Sequence, residues 1–162
     1  MIFVITGTQE PFDRMVRVVD EVAGAFRDTP FVAQVSKSAF KATHLQTFDF
    51  IPPVDFNKYF EEAELIISHA GMGCILSALE RNKPIIVMPR LAKYGEHRND
   101  HQLAACNVFK TLGYVNVATS EAELQEKLVA LISQGAKPLH RIGRHASDTL
   151  LASLSSFIAG PK

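Results

Sequence analysis

The segment LIISHAGMGC, residues 65–74, decides how the rest of the chain is read. Leu65-Ile66-Ile67-Ser68 is a strand whose side chains do not alternate between apolar and polar, so it expects cover on both faces. Gly71 and Gly73 then break the strand, and a helix runs on through Asn82. A strand that passes through glycines into a helix is one step of a β-α-β series. The same step recurs on both sides. Ile2–Thr6 is an apolar, β-branched strand closed by Gly7. Residues 13–26 carry apolar side chains at Met15, Val16, Val18, Val19, Val22, Ala23 and Phe26, a helical spacing. Phe31–Val35 is the second strand and Leu45–Phe50 the third. Pro52-Pro53 stops that run, and Asp55 is the expected N-cap of a helix to Ala63. After the central segment come a strand at Pro84–Met88, a loop at Pro89–Arg98, a helix at Asn99–Thr111 and a strand at Gly113–Val117. Ser120, with Glu121 and Glu123 behind it, caps a helix to about Ser133. Gly135–Pro138 turns the chain into a last helix over Ile142–Ile158. The expected fold is α/β: a three-layer sandwich with a parallel, Rossmann-like sheet of about six strands, in one domain over residues 1–162.

Composition narrows the function classes. Lys plus Arg is 17 and Asp plus Glu is 17. A chain with no net charge lacks the basic face that captures nucleic acid by counterion release, so no nucleic-acid partner is expected. The two cysteines, Cys74 and Cys106, stand far apart and make neither a disulfide framework nor a zinc pattern. No apolar run reaches membrane-spanning length, and MIFVITGTQ, lacking a basic start, reads as a first buried strand and not as a signal peptide. The expected setting is cytoplasmic.

Parallel α/β sheets bind ligands beyond the carboxyl ends of their strands, so the residues just after each strand are the ones to inspect. Gly71, Met72, Gly73 and Cys74 open a helix whose first N–H groups have no partner in the helix itself, an arrangement that suits phosphate. The alternative is a tight turn and nothing more. The third glycine of the dinucleotide fingerprint is missing, and the motif is on the fourth strand and not the first. His69 sits at the lip of this turn. A second cluster joins Arg90 to the polar run Glu96, His97, Arg98, Asn99, Asp100, His101 and Gln102. It offers the donors and acceptors that sugar hydroxyls need, or else a solvated loop with an N-cap at Asn99 or Asp100. The first turn, Gly7-Thr8-Gln9-Glu10, is a third candidate. There is no Asp-x-Asp pair, no P-loop and no nucleophile elbow. His97 and His101 lack the glutamate spacing of a zinc helix, so neither metal nor cofactor is expected.

Together, SHAGMGCILSALERNKPIIVMPR and the following EHRNDHQLA resemble the C-terminal, donor-binding domain of GT-B glycosyltransferases of family 28. VITGTQEPFDRMV and TFDFIPPVDFNKYFEEAELIISHAG match the family's layout, and the likeness covers roughly residues 1–135. It is closest to the small catalytic subunits of split transferases, and EHRNDHQ looks most like the bacterial exopolysaccharide group. The resemblance implies inverting, metal-independent transfer of a hexose from a UDP-sugar to a polyprenyl-pyrophosphate-linked saccharide. In that frame Gly71, Met72, Gly73 and Cys74 hold the diphosphate, Phe50 and Ile51 frame uracil, and His101 and Gln102 bind donor-sugar hydroxyls. Arg90 and Glu96 are additional contacts, and Gly7, Thr8, His69, Asn99 and Asp100 complete the expected nucleotide-sugar site. Ser77 stands where many members carry a ribose-binding glutamate, and Glu80 lies one turn further on. Glu10 and His97 are the candidate general bases, unless a partner supplies one.

A GT-B enzyme has two such domains, and this chain has material for one. The resemblance therefore implies a membrane-anchored partner that presents the lipid-linked acceptor and recruits this chain to the inner face of the membrane. The segment 142–158 is the candidate docking helix, or else it packs on its own sheet. Lys137, His140, Arg141, Arg144 and His145 face anionic lipid or plain solvent. Self-association of the isolated chain stays open. Two other classes compete: a non-enzymatic mononucleotide-binding regulatory module, and a homodimeric interaction protein whose glycine loop is only structural.

Overall fold

The computed structural model describes residues 1–143. Of the segment expected to be the last helix, only Ile142 and Gly143 fall among them, and these two are not helical; the rest of that segment, with Arg144 and His145, lies outside the described residues. Six parallel strands form one sheet: β1 (Ile2–Ile5), β2 (Phe31–Gln34), β3 (Gln46–Phe48), β4 (Leu65–His69), β5 (Ile85–Met88) and β6 (Asn116–Val117). Five helices accompany them: α1 (Asp13–Ala25), α2 (Pro53–Glu62), α3 (Met72–Glu80), α4 (His101–Leu112) and α5 (Glu121–Gln134). A single 3-10 turn spans Ala92–Tyr94.

Why the strands are apolar on both sides is visible in the packing. Ile2, Val4 and Ile67 face α1 and α5 through Val16, Val19, Leu124 and Leu128. Phe3, Ile5 and Ile66 face the other way, toward Phe60 of α2, Ile75 and Leu79 of α3, and Cys106 of α4. The strand order is β3-β2-β1-β4-β5-β6. The order reverses between β1 and β4, whose ends lie side by side with Ile5 opposite Ser68. Connections leave those two ends in opposite directions and open a crevice between them. The β2–β3 link has no helix. Its backbone is held instead by the buried carboxylate of Asp20 on α1, which accepts from the N–H groups of Thr43, His44 and Leu45.

Several boundaries differ from the sequence reading, each for a local reason. β3 ends at Phe48, because the Ile51 N–H turns to the Gln34 side chain instead of the sheet ladder. α2 starts at Pro53, so Asp55 lies in its first turn and is not its cap. A proline at the first helical position loses nothing, since its N–H would be unpaired there anyway. α4 starts at His101, two residues late: the Asn99 carboxamide accepts from the His101 N–H, and the Asp100 carboxylate accepts from the Ala92 N–H. β6 starts late because Gly113 is used to end α4 in the left-handed region at φ 68°. The Ser120 cap forms as read, accepting from Glu123 N–H at 3.2 Å.

Glu123 ties α5 to the end of the sheet. It accepts from Lys127 Nζ at 2.6 Å and from both the N–H and hydroxyl of Thr119 at 2.8 and 2.9 Å. Burial works against its charged form, but Lys127 and Thr119 more than offset this and bring its pKa from 4.5 down to about 2. A carboxylate with a depressed folded pKa stabilises above its unfolded pKa and loses that contribution as pH falls through the folded one. Glu123→Gln should therefore lose on the order of 1 kcal/mol at pH 7 after allowance for solvent screening. Urea unfolding should show the gap to wild type narrowing steadily below pH 4.5; a gap that does not change with pH would contradict this assignment.

Candidate functional site

At the crevice between β1 and β4 the structure has a cleft of roughly 530 Å³. Its walls are the turn after β1 (Thr6–Glu10), the loop into α2 (Phe50, Ile51, Pro53), the turn into α3 (His69, Gly71, Gly73, Cys74), and Arg90, His97 and Gln102 beyond β5.

The floor is the start of α3. Among the described residues, the N–H groups of Met72, Gly73 and Cys74 have no acceptor, and no side chain caps the helix at Gly71. Free amides and the positive end of the helix dipole make this a place for an anion. The two glycines serve different needs. A Cβ on Gly71 would lie 2.3 Å from Nε2 of His69, so Gly71 makes room for the protein's own imidazole. A Cβ on Gly73 would meet nothing within 4 Å, so Gly73 keeps open the approach to the amides. Met72 supplies only its N–H; its side chain is 48% exposed and stands outside the wall.

His69 is partly buried, with Nδ1 3.4 Å from the Ile5 carbonyl. A carbonyl can only accept, so the network puts the proton on Nδ1 and leaves the Nε2 lone pair free. Burial pushes its pKa down, the charges of Arg90 and His97 push the same way, and the Ile5 carbonyl opposes them. His69 is neutral at pH 7, and a neutral ring does not add charge to an anion site.

Several residues expected to touch ligand are engaged in holding loops. Arg90 is 3% exposed. Its guanidinium donates to the carbonyls of Pro11 at 2.5 Å and of Thr6 and Glu10 at 2.6 Å, and it lies over the Phe12 ring. It fastens the turn after β1 from beneath, and its charge reaches the cleft without a carboxylate within 4.0 Å among the described residues. Glu96 is taken by Arg14, which donates from two nitrogens at 2.7 and 2.8 Å, and by the Leu91 N–H. Asn99 and Asp100 accept from backbone N–H groups and lie outside the cleft wall. The exposed His101 at the start of α4 lies outside it too, as do Ser77 and Glu80 of α3. Of the expected sugar-binding pair only Gln102 lines the cleft. Its Oε1 accepts from the Arg90 N–H at 3.1 Å, which leaves its NH₂ to donate.

Gly7 and Thr8 line the near side of the cleft, with Gly7 in the left-handed region at φ 94°. Phe50 is 60% exposed at the opposite edge, over the buried Ile51. Glu10 and His97 lie together at the mouth. They also line an adjoining polar hollow with Gln9, Gly95 and Arg98. Among the described residues no group of three or more His, Cys, Asp or Glu side chains is placed to hold a metal. The sequence reading missed Gln34, Phe56 and Asn57, which also line the cleft. Gln34 left a signal: it is the polar residue in the buried run FVAQV, and a buried amide must be bonded.

The profile of the glycosyltransferase family 28 C-terminal domain matches residues 1–152. Two curated relatives are UDP-N-acetylglucosamine transferase subunits named ALG13. The one from Candida albicans is 37% identical over 75 residues, 46% of this chain and 24% of that protein. The one from Saccharomyces cerevisiae is 38% identical over 77 residues, 47% of this chain and 36% of that protein. The matched region thus spans well under half the length of either relative. Among solved structures, the NMR solution structure of ALG13 overlays with a TM-score of 0.59 at 22% identity, covering 94% of this chain and 93% of that one. UDP-GlcNAc 2-epimerase from Neisseria meningitidis, bound to UDP-GlcNAc, overlays at 0.60 with 16% identity, covering 95% of this chain and 43% of that one. At these identities the overlays show the shared fold.

The two glycines separate under substitution. Gly71→Ala should collide with His69 and destabilise the protein by about 1–3 kcal/mol, as overpacking does. Gly73→Ala should stabilise it by about 0.5–1 kcal/mol through helix propensity, and yet weaken inorganic pyrophosphate binding at least tenfold. Thermal unfolding and NMR titration check both; a Gly73→Ala protein with wild-type pyrophosphate affinity would show that the anion does not sit on these amides.

Proposed function

The chain belongs to the glycosyltransferase family 28 C-terminal domain family, and from that premise we propose that it is the donor-binding, catalytic part of a transferase that moves a hexose from a UDP-sugar to a polyprenyl-pyrophosphate-linked saccharide. The observation that carries this is the α3 N-terminus: three amides without a partner among the described residues, at the floor of a cleft with room for a nucleotide. Gly71, Gly73 and Cys74, with the N–H of Met72, would hold the diphosphate. Phe50 and Ile51 would frame the base, and Gln102 would donate to the sugar.

Transfer with inversion needs the departing UDP to be stabilised and the acceptor hydroxyl to lose its proton. The α3 amides and dipole face the phosphate whose charge grows as the sugar leaves, an electrostatic term that requires no metal. Glu10 and His97 are the candidates to take the proton, unless a partner supplies the base. The curated relatives are named as subunits, and on that ground the acceptor is proposed to be presented by a membrane-anchored partner, with this chain recruited to the cytoplasmic side of that membrane. Positioning of the acceptor supplies much of the rate of such a transfer. Exopolysaccharide or related glycan assembly is the proposed setting, on the likeness of EHRNDHQ to that group. The names of the curated relatives make N-acetylglucosamine the first donor to test.

Calorimetry with UDP, UDP-N-acetylglucosamine, UDP-glucuronic acid, NAD and FMN tests the reading. UDP and one UDP-sugar should bind at least tenfold tighter than NAD or FMN. Preference for FMN or NAD would point to a mononucleotide-binding regulatory module, and no nucleotide binding at all to a structural glycine turn.

A further inference from the structure

The loop that carries Phe50 is weakly anchored by its own backbone. It hangs from β3, a three-residue edge strand. Beyond Phe48, the backbone N–H groups of Asp49, Phe50 and Ile51 make one hydrogen bond among the described residues: Ile51 N–H to Gln34 Oε1 at 2.9 Å. The other end of the same side chain, Nε2, donates to the Gly7 carbonyl at 3.3 Å. The orientation of the amide follows from its partners, since an N–H can only donate and a carbonyl can only accept; flipping it would break both bonds. The Gln34 backbone carbonyl adds to the link, taking both the N–H and the hydroxyl of Thr6 at 3.0 and 3.1 Å. One side chain, 2% exposed at the end of β2, thus links the Gly7 turn after β1 to the Phe50 loop.

We infer that Gln34 is a positioning residue for base recognition: it holds the Phe50–Ile51 loop at a fixed distance from the Gly7 turn, so that a nucleotide's base is gripped between them while the α3 amides take its diphosphate. The inference rests on the nucleotide reading above. Gln34 does not itself need to touch the ligand, because both ends of its amide are occupied. Without it Ile51 has a buried N–H with no acceptor, and the Phe50 ring is free to drift from the wall. The diphosphate site depends on α3, whereas the Gln34 side chain bonds Gly7 and Ile51. Base and phosphate binding should therefore respond differently when the amide is lost.

The test compares the wild-type full chain with Gln34→Met, which keeps the length of the side chain and removes the amide. NMR titrations give affinities for UDP, ADP and inorganic pyrophosphate, and hydrogen exchange reads the Ile51 amide. The expected result is exchange at Ile51 at least tenfold faster, UDP affinity about tenfold weaker, a smaller preference for UDP over ADP, and pyrophosphate affinity within about twofold of wild type. If Gln34→Met does not fold, Gln34→Asn, a methylene too short to reach both partners, should give the same pattern. UDP and pyrophosphate weakening together would mark Gln34 as merely structural and overturn the assignment, as would a UDP preference that survives the substitution. Wild-type protein that binds pyrophosphate as tightly as UDP would instead remove the nucleotide reading, and this assignment with it.

Discussion

The amides at positions 72, 73 and 74 cannot be paired within the helix they begin, and no group among the described residues caps them. A helix start left bare at the base of a cleft is costly unless water or an anion meets it, and most of the site's other features follow from keeping it bare. Gly73 has no side chain to cover it. Gly71 has none because the His69 ring folds back into that space. The sheet delivers the helix start to the crevice by placing β4 beside β1 at the point where the strand order reverses. Family membership and site geometry meet at this feature.

The charged residues around the cleft mostly act on the protein itself. Arg90 holds three carbonyls of the first turn, Glu96 and Arg14 lock the loop after β5 onto α1, and Asp100 ties that loop to the start of α4. These bonds set where the cleft walls stand, and they leave a small group of side chains facing the opening: Glu10, His97, Gln102 and Phe50. Arg90 has a dual consequence. Its hydrogen bonds are structural, but a buried guanidinium whose nearest acceptors are neutral carbonyls still projects positive potential toward the cleft, which favours a diphosphate at longer range. Neutral His69 beside it fits the same picture, since burial and the Arg90 charge disfavour its protonated form.

The six parallel strands and the helices between them could be read from the sequence because each step is written in local terms: an apolar run, a glycine, then an apolar face with helical spacing. The glycine motif at 71–74 was legible for the same reason. Glu96 and Arg90 were not, because their partners lie 82 and 79–84 positions away in the chain, or are backbone atoms that carry no sequence label. A polar residue after a strand looks the same whether it binds a sugar or a carbonyl. Gln34 was overlooked for the opposite reason: it sits inside a run that reads as core. The N-cap shifts at Asp55 and Asn99 are of a third kind, where several suitable residues compete within one turn and tertiary contacts choose among them.

The central claim is that the amides of Met72, Gly73 and Cys74 receive the phosphates of a uridine diphosphate. Amide chemical shifts of ¹⁵N-labelled protein, followed as UDP is added, test it residue by residue. These three amides should move downfield and show the largest changes in the chain, with Phe50 and Gly7 following at the same midpoint. Saturable UDP binding that leaves residues 72–74 unmoved and shifts another part of the surface would contradict it.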